Sequence, residues 1–114
     1  MNEPLDSLDD VQGIKGAAVV RRDGLLIASN LGQDIDDDQV GAMTASTVGS
    51  GETASEALNM GDVDQVSIEA GNGKLIATGA GDEGILAILT EDDVNMGLIK
   101  VEMGDATEKI KKVL

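Results

Sequence analysis

The side chains whose type and spacing come nearest to doing chemistry are carboxylates. Asp34, Asp36 and Asp38 recur at every second position, the spacing of the first three ligands of a calcium-binding loop. The pattern stops there. Gln39 stands where such a loop turns on a Gly, and Ala45 stands where a bidentate Glu closes the coordination shell. Capping needs only one carboxylate, so Asp36 or Asp37 is expected to cap the next helix while the other acids favour its positive end. Gly79-Ala80-Gly81-Asp82-Glu83-Gly84 spells the G-x-G-x-x-G of dinucleotide sites. That motif must join a strand to a helix and aim backbone N–H groups at a pyrophosphate. Here strand-like runs lie on both sides and Asp82 and Glu83 would confront the anion, so the stretch reads as a hairpin turn. Gly49-Ser50-Gly51 lacks the Gly-Lys-Ser/Thr ending of a phosphate loop. Arg21 and Arg22, at another turn, are the residue type that stabilises phosphoryl transfer in trans. The same pair offsets acidic neighbours and solubilises the turn, and no catalytic role is assigned to it.

Composition removes whole classes of site. The 114 residues contain no Cys, His, Trp, Tyr or Phe. Disulfides, His or Cys metal centres, His-based acid–base catalysis and aromatic base stacking are therefore excluded, and no cofactor is expected. The core has to be aliphatic. Acidic residues outnumber basic ones 22 to 8, a net charge of −14, which opposes binding to nucleic acid or to an anionic membrane. Such an excess repels itself in dilute buffer; it fits a salt-rich cytoplasm of the haloarchaeal kind, and equally an ordinary acidic protein. No run approaches the roughly 18 apolar residues of a membrane span, and no basic start precedes an apolar stretch. The expectation is a cytoplasmic chain with one domain over 1–114.

The elements that must position these residues follow from pattern. Pro4 to Gln12 reads as a short helix with Pro at its first position and Leu5, Leu8 and Val11 on one face. Ala17–Val20 and Leu25–Ala28 flank Arg21-Arg22-Asp23-Gly24, and the Asp-Gly pair marks a tight hairpin. Asp37 to Met60 reads as a long helix whose stripe Val40, Met43, Thr47, Gly51, Ala54 and Leu58 is expected to lie on a sheet. Strands follow at Val63–Ala70, Lys74–Gly79 and Ile85–Leu89, joined by glycine turns. The first and last strands are continuous apolar runs, hence central; Gln65, Ser67 and Glu69 alternate with Val66, Ile68 and Ala70, hence an edge strand with one wet face. Glu91-Asp92-Asp93 is expected to open a final helix buried through Ile99, Met103, Ala106, Ile110 and Val113, with Lys109, Lys111 and Lys112 at its negative end. Met43 and Met103 are expected to be core filler.

The long helix has an unusual remaining surface. Ala42, Ala45, Ser46, Gly49, Ser50 and Thr53 are small and uncharged and leave it nearly free of charge until Glu52 and Glu56, whereas a helix facing water ordinarily carries Lys and Glu. Its internal glycines each cost about 1 kcal/mol relative to Ala, which a closely packed second helix would offset. These residues, with the edge-strand positions Gln65, Ser67 and Glu69, make the expected dimer or partner surface.

The motif V-x-G-I-x-G-A-x-V-V from Val11, then D-G-L-x-I-A-S from Asp23, then Asn95-Met96-Gly97 near the last helix resembles the roadblock/dynein light-chain family. Its prokaryotic members include MglB-type regulators of Ras-like GTPases. The resemblance spans almost the whole chain, and its motifs are structural. It implies a roadblock (profilin-like) α/β fold, α-β-β-α-β-β-β-α, with a five-stranded antiparallel sheet in the order 2-1-5-4-3. It further implies a homodimer whose second helices pair and whose third strands join edge to edge. The function it implies is non-enzymatic: a regulatory or scaffolding module that binds a Ras-like small GTPase and modulates its nucleotide turnover, or a structural assembly adaptor without effect on it.

Overall fold

In the computed structural model, which describes residues 2–114, the elements are α1 (Asn2–Asp6), β1 (Ile14–Arg21), β2 (Leu26–Asn30), α2 (Asp37–Ala57), β3 (Gln65–Ala70), β4 (Gly73–Ala80), β5 (Gly84–Thr90) and α3 (Met96–Lys111). The five strands form one antiparallel sheet in the order β2-β1-β5-β4-β3. The expected element order and strand order both hold. β1 and β5, the continuous apolar runs, sit next to each other inside the sheet, where both of their faces are covered.

The β1–β2 hairpin closes over Arg21 to Leu25, with Arg21 N–H donating to the Leu25 carbonyl at 2.8 Å and Gly24 N–H to the Arg21 carbonyl at 2.9 Å. Gly24 takes φ +95°, a region that L side chains enter only under strain, which is why glycine follows Asp23 here. The β3–β4 and β4–β5 connections are short turns, and the pairing of Ala80 with Gly84 confirms the G-x-G-x-x-G stretch as a strand-to-strand hairpin.

α1 and α3 cover one face of the sheet. Leu5, Leu8, Val19, Ile76, Leu86, Ile88, Ile99, Met103 and Ile110 form a continuous aliphatic core there. α2 covers the other face, where Val48, Ala77 and Ile85 cluster and Ala18, Val20 and Ala87 are buried in register with them.

Several boundaries differ from the sequence reading. α1 ends at Asp6, with Pro4 inside it rather than at its first position. The Ser7 hydroxyl donates to the Pro4 carbonyl at 3.1 Å, and i→i+3 turns at Leu8, Asp9 and Val11 replace the helix. Leu5 and Leu8 are nevertheless fully buried, as their spacing implied. α2 stops at Ala57 because Asn59 adopts φ 57° and Met60 N–H bonds back to the Ser55 carbonyl at 2.8 Å. β3 starts at Gln65 rather than Val63. α3 begins at Met96 with Asn95 as its cap, its side-chain oxygen accepting from Leu98 N–H at 3.1 Å, so Glu91-Asp92-Asp93 lies in the preceding loop. Val113 falls beyond α3 and is exposed. Lys109 and Lys111 do occupy the last turn of α3, and Met103 is buried.

Candidate functional site

α2 starts where the carboxylate cluster placed it. Asp36 is the cap, accepting from Gln39 N–H at 3.2 Å, and Asp37 and Asp38 occupy the first turn. Asp36 thus serves the start of the helix.

The face that α2 lays on the sheet is Gly41, Thr44, Val48 and Ser55, with Gly51 half-buried. This corrects the expected stripe by one residue, a rotation of about 100°. Ala54 and Leu58 are exposed, Met43 is 54% exposed, and Val40 and Thr47 are only half-buried. Met43 is therefore not core filler. The cause is close approach at two points: a Cβ on Gly41 would stand 2.5 Å from the Gly24 carbonyl oxygen at the hairpin turn, and one on Gly51 would stand 2.9 Å from a Val66 methyl on β3. Glycine is what lets the helix settle against the hairpin, and apolar periodicity, which favours large side chains, points to the neighbouring stripe instead.

Because α2 leans on the hairpin, the sheet beyond β5 is incompletely covered on that face. Ile68, Leu75 and Leu89 stand in register across β3, β4 and β5. Ile68 is 46% exposed, and Leu75 and Leu89 are half-buried. Together with Gln39, Val40, Met43 and Thr44 the two leucines line a notch of about 180 Å³. The Thr44 hydroxyl is buried there without a hydrogen-bond partner. β3 was expected to have one wet face; in the structure only Val66 is even half-buried, so the strand is wet on both. Its outer backbone edge is unpaired among the described strands.

The residues expected to form an interaction surface fall on three adjoining zones. Ala42, Ser46, Gly49, Ser50 and Thr53 are exposed on the outward side of α2, and a Cβ on Gly49 would meet nothing within 4 Å. Ala45 is half-buried beside Gly24. Glu52 and Glu56 lie on the flank toward the hairpin turn, where Glu52 accepts from Arg22 at 2.8 Å and both line a groove of about 670 Å³ with Arg22, Asn59, Asp62 and Asp82. Gln65, Ser67 and Glu69 are exposed on β3, on the sheet face away from α2, with Glu69 paired to Lys74 at 3.2 Å. What sequence reading did not bring into this surface is the row Ile68, Leu75 and Leu89 and the flank Val40 and Met43; their apolar character assigned them to the interior.

The two arginines are engaged within the chain. Arg22 reaches Glu52 and donates to the Asp82 carbonyl at 2.9 Å, and Arg21 pairs with Asp23. The Arg21 guanidinium, with a further hydrogen bond from Leu25 N–H, holds the Asp23 carboxyl below the usual carboxylate range. Both contacts fit the reading in which the arginines offset acidic neighbours at the turn.

The sheet thus has one well-filled face, one partly bare face and, among the described strands, a free edge. Residues 2–90 match the Roadblock/LC7 domain, and the chain belongs to that family. It is 45% identical over 104 residues to an uncharacterized protein of Methanocaldococcus jannaschii, covering 91% of this chain and 90% of the relative. The fold is similar to that of a Roadblock/LC7 domain from Streptomyces avermitilis, with TM-score 0.93, 21% identity and coverage of 99% and 96% of the two chains. It is similar also to Myxococcus xanthus MglB, with TM-score 0.90, 21% identity and coverage of 98% and 92%. More distantly it resembles Acanthamoeba castellanii profilin II, with TM-score 0.58, 17% identity and coverage of 98% and 90%.

Proposed function

We propose that this chain, acting as one roadblock-type domain over 1–114, is a homodimeric, non-enzymatic regulatory or scaffolding module that binds a Ras-like small GTPase in the cytoplasm. The observation that carries the dimer is the apolar strip of Val40, Met43, Ile68, Leu75 and Leu89 beside the unpaired edge of β3. Joining two β3 edges about a two-fold axis continues the sheet and sets the two α2 helices side by side on its same face. Each helix then covers the strip of the other with its Val40, Met43, Thr47 and Ala54 flank. The outward positions Ala42, Ser46, Gly49 and Thr53 of both copies remain as a broad uncharged floor, with Glu52 and Glu56 at its rim. That floor is the proposed GTPase-binding side, and membership of the roadblock family and the MglB-like fold support the choice of partner.

The deciding measurement is titration of the purified chain with a Ras-like GTPase from the same organism, loaded first with a non-hydrolysable GTP analogue and then with GDP. Tighter binding to the GTP form is expected, because only contacts that differ between switch-region states couple binding to nucleotide. Gly49→Arg should weaken binding and leave the dimer whole. Binding in neither state would overturn the GTPase reading in favour of an assembly adaptor; equal binding in both would leave a scaffold blind to nucleotide. Light scattering of Met43→Glu tests the dimer separately, and an unmodified chain that is monomeric at micromolar concentration would remove it.

A further inference from the structure

α2 rests on the sheet through a face less apolar than its neighbour. Gly41, Thr44, Val48 and Ser55 are buried, while Val40 and Met43, one residue round the helix, line the notch with Leu75 and Leu89. The inward face also carries an unmet hydrogen bond. Thr53 in α2 and Thr107 in α3 donate to the carbonyl four residues back, at 3.0 and 2.7 Å, as helical threonines commonly do. The Thr44 hydroxyl, sealed from solvent, has no partner, and a hydroxyl buried unpaired costs more than one left in water. Few contacts hold the helix where it lies: Gly41 against Gly24, Gly51 against Val66, Val48 with Ala77 and Ile85, and the exposed Arg22–Glu52 pair. On the side of Leu75 and Leu89 the notch of about 180 Å³ leaves it room to move.

We propose that α2 has a second seat and works as a switch: it slides off the hairpin toward Leu75 and Leu89 and rolls by about one residue, a rotation of about 100°. Val40 and Met43 then cover the two leucines and close the notch, and the Thr44 hydroxyl turns up on the hairpin side, where water reaches it. The move gives up the Gly41–Gly24 approach, the burial of Val48 and the Arg22–Glu52 pair, which is exposed and worth little. Close-packed elements exchange such arrangements in discrete steps rather than by continuous deformation. The roll also changes what α2 offers its surroundings. The flank toward the hairpin swings outward, so Glu52 and Glu56 replace the uncharged floor of Ala42, Gly49 and Thr53, and the apolar strip is no longer bare. The rolled seat is therefore closed to a second copy and to a partner on the floor, whereas the seat described here is open to both. This rests on the α2 dimer and its floor, and it adds that the two are coupled. A second copy that holds the helix in the open seat prepares the floor, and a partner on the floor favours the dimer.

Two variants bias the seats in opposite directions from positions that neither a second copy nor a partner would touch. Gly41→Ala sets a methyl against the Gly24 carbonyl in the open seat, and Thr44→Val keeps the side-chain shape but removes the orphaned hydroxyl of that seat. With circular dichroism as the check on folding, sedimentation of the full chain should show Gly41→Ala weakening self-association by about tenfold or more and Thr44→Val strengthening it. In dilute solution, where the chain is monomeric, the Met43 methyl NMR signal reports the seat directly. A soluble nitroxide should broaden it less in Gly41→Ala, and more in Thr44→Val, than in the parent. This second reading separates the switch from the dimer: if the parent does not self-associate at any concentration the dimer fails, and the methyl signal still decides the roll. If Gly41→Ala does not fold, Thr44→Val decides alone. Equal broadening in parent and variants, or variants that shift in the same direction, would overturn the proposal. So would a folded Gly41→Ala chain that associates as tightly as a dimeric parent.

Discussion

The two faces of the sheet are packed on different terms. Beneath α1 and α3, large aliphatic side chains from five elements close over one another, and Leu5, Leu8, Val19, Leu86, Ile88 and Ile110 are all sealed from solvent. Beneath α2 the contact is made by Gly41, Thr44, Val48 and Ser55 against alanines and Ile85, while the larger Met43 and Ile68 stand half outside. Apolar burial contributes roughly 25 cal/mol per Å² removed from water, so the first face supplies most of the stability of the isolated chain. The second leaves Met43 and Ile68 partly in water, and in the proposed dimer a second copy covers them. A face that looks poorly packed in one chain is informative about what lies beyond the chain.

The largest expected effect tests that inequality directly. Ile88→Ala, in the well-filled face, should cost about 2–5 kcal/mol in denaturant unfolding, whereas Val48→Ala, beneath α2, removes less volume from a looser contact and should cost less. Equal losses would mean that the two faces share the load. Next comes a contrast between two glycines of the same helix. Gly41→Ala drives a methyl into the Gly24 carbonyl and should destabilise by about 1–3 kcal/mol, since backbone rather than a flexible side chain must move. Gly49→Ala meets open space and should stabilise the isolated chain by up to about 1 kcal/mol through helix propensity. If both alanines destabilise alike, close approach to the hairpin does not set the position of α2.

The well-packed face was legible in the sequence because its signals are large. Leu5 and Leu8, the β1 run Ala17 to Val20, the β5 run as far as Ile88, and the Ile99, Met103, Ala106 and Ile110 stripe place apolar groups at the right period, and all are buried. The α2 face was misread by one residue because a helix resting on glycine buries small groups, and periodicity counts Val40 and Met43 as inward and Gly41 and Thr44 as neutral. The surface proposed here for interaction was half legible for the same reason. Its uncharged outward positions stood out against the ordinary composition of a wet helix, but Ile68, Leu75 and Leu89 look from sequence like any strand interior. Only the lateral lean of α2 exposes them. Helix starts were legible to within a turn where the cap was Asp36, and were misplaced where a run of acids before Asn95 offered an equally good start.

Smaller effects should follow from charge. With 22 carboxylates against 8 cations, screening relieves self-repulsion, so the thermal midpoint by circular dichroism should rise between dilute buffer and molar KCl. If the α2 face is completed by a second copy, the midpoint should also rise with protein concentration, because association stabilises the folded form by mass action. A midpoint indifferent to salt would remove the halophile reading. Indifference to concentration would leave the exposure of Met43 and Ile68 unexplained by association.

The smallest effect lies at the hairpin turn on which α2 rests. Arg21 first, then Leu25 N–H, lowers the pKa of Asp23 in the folded chain relative to the unfolded one. A carboxyl with a depressed folded pKa contributes stability that is present above its unfolded value, about 3.9, and is lost as pH falls through the folded value. Asp23 is fully exposed and its ion pair is screened by solvent, so the contribution is slight. Asp23→Asn keeps an oxygen for Leu25 N–H and removes the charge. It should therefore be marginally less stable than the parent at neutral pH, and the gap should close as pH drops below about 4. The carboxyl itself can be followed by NMR titration, where Arg21→Ala should move its midpoint upward toward the ordinary value. A midpoint unmoved by Arg21→Ala would show that the backbone donor, not the guanidinium, sets the charge on this turn.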